Sequence, residues 1–173
     1  VPGNSSYMTF YECDSVDAIF SDAYRAQIGS PTEWRMRVRR GFRNLQWSVC
    51  RETWSVGSGV GGGAVIVQCS PVRGREDEVR SFLADQLAPR ILNRGDGIRV
   101  ALWEADSELS AEIMVSSKEH LENYTNWVLF IESANLMGTS ASLHTDLLSD
   151  DSGRSGLLIG AITRYALLSA HRR

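Results

Sequence analysis

A strand, a helix and a second strand follow one another within residues 63–106, and this unit constrains the fold more than any other stretch. Residues 63–70 are β-branched and continuously apolar at their centre, which is typical of a strand covered on both faces. The helix predicted over 75–87 carries one apolar stripe, made of Val79, Phe82, Leu83, Leu87 and Ile91. Because such a stripe stabilises a fold only when it is buried, the helix must pack on a sheet. The second strand is predicted over 98–105.

Pro89 lies in the continuation of this helix. A proline in a helix interior lacks the backbone N–H, and its ring clashes with the carbonyl group four residues earlier. We therefore expect a kink or a restart of the helix near Ala88.

Periodicity and turn residues assign the rest of the chain. Further strands are predicted at 7–13, 42–56, 127–133 and 157–170. One helix is predicted after an N-cap at Asp14 or Ser15. A second runs from an N-cap at Ser30 to Gly41, with Trp34 and Val38 facing inward. A third is predicted over 135–148. The remaining stretches are interpreted as a glycine-rich linker at 57–62, a polar surface excursion at 106–123 with room for one helical turn, and a mobile turn at 149–156.

Residues 7–12 match residues 127–132 in pattern, and a helix and a long strand follow both. The chain is therefore predicted to contain a partial first βαββαβ module at 1–56, a linker at 57–62 and a complete second module at 63–173. We expect the missing opening strand, helix and second strand of the first module to lie upstream of Val1 or to come from another chain. The two modules should pack as a pseudo-two-fold pair, and a homodimer is a further expectation.

Two segments carry a resemblance to a known superfamily: PTEWRMRVRRGFRNLQWSVCRETWS at 31–55 and GGAVIVQCSPVRGREDEVRSFL at 62–83. Their pattern resembles tandem-module bacterial members of the dimeric α+β barrel superfamily, in which ferredoxin-like sheets close face to face. That group includes cofactor-independent monooxygenases of antibiotic biosynthesis, EthD-like proteins, muconolactone-isomerase-like enzymes and haem-dependent enzymes. The resemblance implies an α+β barrel with a small-molecule pocket inside each module. It transfers no catalytic residue, because no motif matches one of these families position by position.

Composition and charge limit the partners of the chain. Its 173 residues carry a net charge of −3, with a pI of about 5.6, which argues against nucleic acid as the main partner. No apolar run approaches the roughly 18 residues of a membrane span. Three cysteines without metal-ligand spacing, Cys13, Cys50 and Cys69, indicate reduced, buried thiols of a cytoplasmic protein. Of 18 basic residues only Lys118 is a lysine, a bias typical of GC-rich bacterial genomes.

Glutamates near the ends of apolar strands are the first candidates for chemistry: Glu12, Glu104 and Glu132. A partly buried carboxylate with a raised pKa could remove a proton from a carbon acid. The alternative is that each strand simply reaches solvent at that point. We take Glu104 and Glu132 as candidate catalytic residues. If either is catalytic, its side chain should be mostly buried, beside a cavity, and its pKa should be raised.

Basic and aromatic residues supply the candidate ligand-binding groups. The densest cluster comprises Arg35, Arg37, Arg39, Arg40 and Arg43, with Trp34 and Trp47 nearby. It predicts either an anion site or a solvated helix face whose long side chains cover apolar surface. The candidates for ligand binding are Arg43, Trp47, Arg99, Trp103, Arg164 and Tyr165. Arg99 and Trp103 share one face of their strand, whereas adjacent Arg164 and Tyr165 point to opposite faces.

Histidines offer little for metal or cofactor binding. His120, His144 and His171 are the only three, and none has metal-motif spacing to another. His144, next to the inward Leu143, is the candidate for base catalysis or haem ligation. Apart from this haem alternative, no cofactor and no metal are predicted. The glycine-rich 57–62 stretch precedes a strand and lacks a lysine, so it indicates a linker and not a phosphate loop.

The sequence leaves two function classes open, and it does not decide whether the protein is an enzyme. The first is a protein that binds or transforms a small, largely apolar or anionic metabolite without metal. The alternative is a non-catalytic ligand-binding or assembly module with a filled core. A cavity of about 300 Å³ or more with a few polar groups favours the first, and a closed core favours the second.

Overall fold

In the computed structural model, residues 7–42, 46–117, 122–123 and 127–168 are described. Their contacts divide them into two units. Unit 1 takes its described residues from 50–105 and 127–168, and unit 2 from 7–49 and 106–123. This division differs from the predicted modules at 1–56 and 63–173, because the strand before the glycine-rich stretch belongs to the sheet of unit 1.

The described residues contain both strands and helices, and three helices precede the first strand. The strands are β1 (Gln46–Trp47), β2 (Cys50–Gly57), β3 (Gly63–Pro71), β4 (Gly97–Ala105), β5 (Glu122–Asn123), β6 (Trp127–Ser133) and β7 (Leu157–Ala166). The helices are α1 (Asp17–Phe20), α2 (Asp22–Gly29), α3 (Glu33–Arg39), α4 (Glu76–Ser81), α5 (Ala88–Asn93), α6 (Ser107–Ser117), α7 (Leu136–Leu147) and α8 (Asp150–Ser155). A π-helical segment, Phe82–Leu87, joins α4 to α5. The protein is therefore of the α+β class.

Unit 1 is built on a five-stranded sheet in the order β2-β4-β6-β3-β7. Every pair is antiparallel. The order β3, helix, β4, β6, α7, β7 along the chain is the βαββαβ arrangement predicted for the second module. β2 adds a fifth strand beside β4, and the sheet is open and not closed into a barrel.

One face of this sheet packs against the helices of unit 1. Alternate residues of the strands form the core there, including Val65, Val67, Val100, Leu102, Leu129 and Ile131. The predicted helix stripe meets them through Val79, Phe82, Leu83, Leu87 and Ile91. Each such side chain contributes roughly 1.5–3 kcal/mol when it is fully buried. Cys69 also lies in this core, and burial raises the pKa of its thiol to about 12.

The helix between β3 and β4 changes form near Ala88, where Pro89 predicts a kink or a restart. In the π-helical segment, the backbone N–H of Ala88 donates to the carbonyl group of Leu83, five residues earlier. A new α-helical segment, α5, then begins at Ala88 with Pro89 in its first turn, so the proline lies where the hydrogen-bond spacing changes. The restart near Ala88 is confirmed.

Unit 2 combines α1, α2, α3 and α6 with a short parallel pair of β1 and β5. Asp106 begins α6, because its Oδ1 accepts a hydrogen bond from the backbone N–H of Leu109 at 3.0 Å. The buried Ser110 then ties α6 to the chain before β2, since its Oγ accepts from the N–H of Val49 at 3.0 Å.

Several predicted elements are wrong. Residues 7–13 form no strand, and Cys13 is exposed. The predicted strand at 42–56 is represented by β1 and β2 with a break between them, and the polar excursion at 106–123 contains the eleven-residue α6. The predicted mobile turn at 149–156 is largely α8.

The helix predicted from Ser30 begins later than expected. Thr32 is the N-cap of α3, because its Oγ1 accepts from the N–H of Arg35 at 3.2 Å. Trp34 is 72% exposed and Val38 is 36% exposed, so the inward orientation predicted for both is wrong.

No helix formed by the described residues has the length and apolar character needed to cross a membrane.

Candidate functional site

The face of the five-stranded sheet opposite α4, α5 and α7, here called the distal face, carries four of the predicted site residues, Arg99, Trp103, Glu132 and Tyr165. Along β4, Arg99, Ala101 and Trp103 point to this face, because they alternate with Val100 and Leu102 of the helix-covered core. The predicted shared orientation of Arg99 and Trp103 is confirmed by their common hydrogen-bond partner, described below.

A polar row crosses the distal face from strand to strand. Arg99 of β4 stands opposite Glu132 of β6, which stands opposite Ala64 of β3. Ala64 in turn stands opposite Tyr165 of β7. We call Arg99, Glu132 and Tyr165 the polar row. Three residues predicted separately from three strands are thus aligned across one sheet.

An aromatic pair lies beside the polar row. The rings of Trp103 and Phe130 are stacked, with centroids 4.4 Å apart and an angle of 18° between their planes. Phe130, Ala101 and Ile66 are buried, and they fill the next row across the sheet. The polar row is therefore flanked by buried apolar and aromatic side chains.

Arg99 is oriented by two residues of the edge strand β2. Its Nε donates to Ser55 Oγ at 2.8 Å, and its Nη2 donates to Glu52 Oε2 at 2.7 Å. The same carboxylate oxygen accepts a hydrogen bond from Trp103 Nε1 at 3.1 Å. Strict alternation would put residues 52 and 55 on opposite faces. A β-bulge between Glu52 and Trp54 brings both to the distal face.

Sequence reasoning missed Glu52 and Ser55. Neither residue lies at a strand end or in a cluster of similar residues, and a bulge leaves no clear sign in the sequence. The one available signal is that Glu52 and Ser55 place a carboxylate and a hydroxyl group in a stretch that otherwise favours a β-strand.

Glu132 is only 8% exposed, as expected for a candidate base. A cavity is also expected beside Glu132. Two surface clefts formed by described residues of unit 1 have volumes of about 530 and 560 Å³, and Glu132 lines neither of them. The first cleft lies along α4 and α8 and includes Arg75 and Arg154, and the second follows the apolar start of β7. Both clefts are open to solvent, and no residue of the polar row lines either one.

Glu104 points to the helix-covered side of the sheet and forms an ion pair. Arg80 Nε and Nη2 donate to its two carboxylate oxygens, each at 2.7 Å, and Thr53 Oγ1 donates to Oε1 at 2.7 Å. The guanidinium group of Arg80 also lies 5.1 Å from the centroid of the Trp127 ring. The hydrogen bonds from Arg80 lower the pKa of Glu104, with a smaller contribution from Thr53. The raised pKa expected for Glu104 is therefore wrong, although its candidacy as a catalytic residue stays a prediction.

This pKa shift predicts a loss of stability in acid. Glu104 has a lower pKa in the folded chain than in the unfolded chain. Its pair with Arg80 is therefore fully stabilising above the unfolded-state pKa of about 4.3, and the effect is lost as pH falls through the folded-state pKa. We expect Glu104→Gln to flatten the acid decline in the free energy of unfolding, as measured by urea unfolding at about pH 7, 5 and 3.5. Asp85→Asn, at an exposed carboxylate, is the control. An unchanged pH slope in the Glu104 variant would contradict the prediction.

The remaining candidates do not join the polar row. Arg164 is exposed on the other side of β7, where its Nη1 contacts Met137 Sδ at 2.9 Å. The predicted opposite orientation of Arg164 and Tyr165 is consistent with this contact. Trp47 is half-buried on β1 of unit 2, and Glu12 is exposed. Arg43, His120 and His171 lie outside the described residues.

His144 lies on α7, is exposed and lines neither cleft of unit 1. This position does not fit a haem ligand, which needs a cavity for the macrocycle. Across the described ranges, no group of three or more His, Cys, Asp or Glu residues is placed to hold a metal ion.

The basic cluster lies partly along α3 of unit 2. Arg37 and Arg40 are exposed, whereas Arg35 and Arg39 are half-buried. Since Trp34 is also largely exposed, α3 has a solvated face of mixed cationic and aromatic character. An anion site on this helix stays a prediction.

Comparison with known proteins adds little to this geometry. No protein-family model matches the chain, and no curated protein matches it. Among solved structures, the heme-degrading enzyme LmHde from Listeria monocytogenes is similar with 13% sequence identity and a TM-score of 0.41, over 78% of this chain and 94% of that chain. Similarity at this level transfers no residue, ligand or activity. The fold and the distal face define an α+β protein with an open antiparallel sheet and a polar row on one face.

Proposed function

We propose that this protein binds a small anionic molecule with an apolar or aromatic portion on the distal face of unit 1. The observation that carries the proposal is the alignment of Arg99, Glu132 and Tyr165 on three strands of one sheet, beside the stacked Trp103. A few convergent polar groups on a largely apolar surface are the usual composition of a small-molecule site.

Each residue has a chemical role in this proposal. The planar guanidinium group of Arg99 suits a carboxylate, which it can bind through two parallel hydrogen bonds. Trp103, which stacks on the buried Phe130, is the aromatic residue beside Arg99 that can contact the apolar portion of the ligand. The phenol of Tyr165 can donate or accept one further hydrogen bond.

Glu132 extends the proposal from binding to catalysis. A carboxylate that is 8% exposed is a candidate for accepting a proton from a bound carbon acid. A transformation of the ligand without metal is thus proposed as a second step, with Glu132 as the base. It depends on binding being established first.

A non-catalytic module with a filled core is the second candidate. Phe130 and Ala101 are 2% and 0% exposed, so this part of the distal face is closely packed. In this case the polar row would order the sheet and would bind no ligand. The tandem modules, their pseudo-two-fold packing and closure of an α+β barrel also remain proposals, which light scattering and an experimental structure of the whole protein would test.

A thermal-shift screen tests the proposed function. We expect small aromatic carboxylates such as benzoate to raise the melting temperature, because a ligand that binds only the folded state stabilises it. Arg99→Gln should abolish this rise. Arg164→Gln is the matched control, because it removes the same charge from an exposed position on the other side of β7. No stabilising ligand in the screen, or equal loss in both variants, would favour the filled-core alternative.

A further inference from the structure

Glu52 occupies a position that suits a ligand. Its single oxygen Oε2 accepts hydrogen bonds from Arg99 Nη2 at 2.7 Å and from Trp103 Nε1 at 3.1 Å. A guanidinium group and an indole N–H that converge on one carboxylate oxygen form a recognition geometry for carboxylates. In this structure a side chain of the protein itself fills that geometry.

The two donors are held more firmly than the acceptor. The side chain of Arg99 is 16% exposed and Trp103 is 9% exposed, whereas the side chain of Glu52 is 41% exposed. Ser55 Oγ holds Arg99 Nε independently of Glu52, and the Phe130 ring holds the indole of Trp103. The donors would therefore keep their orientation if Glu52 turned away.

The position of Glu52 in the fold makes such a turn inexpensive. It lies on β2, which has a neighbouring strand only on the β4 side among the described residues. It also lies at the bulge, where the regular pairing between the strands is interrupted. A partly exposed ion pair of this kind contributes little to stability, because solvent replaces the lost interaction.

We propose that Arg99 and Trp103 form a carboxylate-binding subsite that Glu52 closes from within the chain. A ligand carboxylate displaces that of Glu52 and takes both hydrogen bonds, and the indole of Trp103 contacts its aromatic portion. This inference rests on the proposed function. It adds that the ligand is an aromatic monocarboxylate and that the side chain of Glu52 competes with it for the same donors.

The competition has a measurable consequence. When only a fraction of the molecules has an open subsite, the apparent Kd equals the intrinsic Kd divided by that fraction. Because the pair with Arg99 is partly exposed, we expect removal of Glu52 to lower the Kd for an aromatic carboxylate by about fivefold to tenfold.

The experiment titrates benzoate, with neutral benzamide as a parallel probe, into the wild-type protein, Glu52→Ala and Glu52→Gln. The readout is the Kd together with the indole N–H resonance of Trp103, which Trp103→Phe identifies. Asp85→Asn is the matched control, because it removes one carboxylate from an exposed site on the helix side of unit 1. If Glu52→Ala impairs folding, the isosteric Glu52→Gln preserves the test.

We expect Glu52→Ala to bind benzoate most tightly and Glu52→Gln to lie between it and the wild type. The Trp103 resonance should move with benzoate and not with benzamide, and Asp85→Asn should match the wild type. Equal benzoate Kd values in all proteins would overturn the self-competition and leave the proposed function standing. A second outcome would also overturn this subsite alone. In it, the thermal-shift screen finds stabilising ligands, but benzoate leaves the Trp103 resonance unchanged. Absence of binding in every variant and in the screen would remove both proposals.

Discussion

Leu129→Ala is expected to lower the free energy of unfolding by about 2–5 kcal/mol. Leu129 is 1% exposed on β6, and β4 and β3 flank that strand on its two sides. Its side chain belongs to the core between the sheet and the helices. Truncation loses the burial of the removed carbons and leaves a cavity that closely packed neighbours fill only in part.

Leu158→Ala is the matched control, because it makes the same change on the edge strand β7, where Leu158 is 52% exposed. We expect it to change the free energy of unfolding by no more than about 0.5 kcal/mol. Urea unfolding measures both variants, with the slope of each curve checked against the wild type. Equal losses in the two variants would contradict the central place of β6.

Arg80→Met is expected to destabilise the protein by about 1–3 kcal/mol. The substitution leaves the carboxylate of Glu104, whose side chain is 17% exposed, without its two hydrogen bonds from Arg80. It also removes the cation above the Trp127 ring. The loss should be smaller than for a fully buried pair, because the Arg80 side chain is 35% exposed.

A double variant separates the pair from the packing of its side chains. Glu104→Gln combined with Arg80→Met should recover part of the loss, because no buried charge then remains without its partner. Arg90→Met is the matched control, since the pair of Arg90 with Asp151 is longer, at 3.3 Å, and more exposed. We expect a loss of less than about 1 kcal/mol from it. A loss at Arg80 no larger than that at Arg90 would contradict the structural role of the pair.

The elements of unit 1 that follow Gly63 could be predicted because their signals are local. The β-branched run at 63–70 and the apolar run at 127–133 correspond to β3 and β6 within a residue. The apolar stripe likewise predicts the buried face of the helix, and Pro89 predicts the change in the helix near Ala88. Apolar periodicity determines such elements because each side chain must be buried on one face.

The first part of the chain shows where local signals fail. Residues 7–13 include three aromatic residues and the β-branched Thr9, yet they form no strand, with Tyr7 at 78% and Tyr11 at 87% exposure. β-propensity expresses packing against neighbouring strands more than a preference of the backbone, so it predicts little where no strand is adjacent. The stretch 106–117 shows the opposite case, because the side chain of Asp106 caps a helix, α6, in a polar stretch with a weak apolar pattern.

The sequence by itself determined which side chains share a face of one strand, as for Arg99 with Trp103 and for Arg164 against Tyr165, because alternation is a property of the strand alone. Only the tertiary structure decided that Arg99, Glu132 and Tyr165 form one row and that Glu52 meets Arg99 and Trp103. These alignments depend on the hydrogen-bond register between strands far apart in the chain. That register shifts at irregularities in β2, β4 and β3, and a shift of one residue exchanges the two faces of a strand.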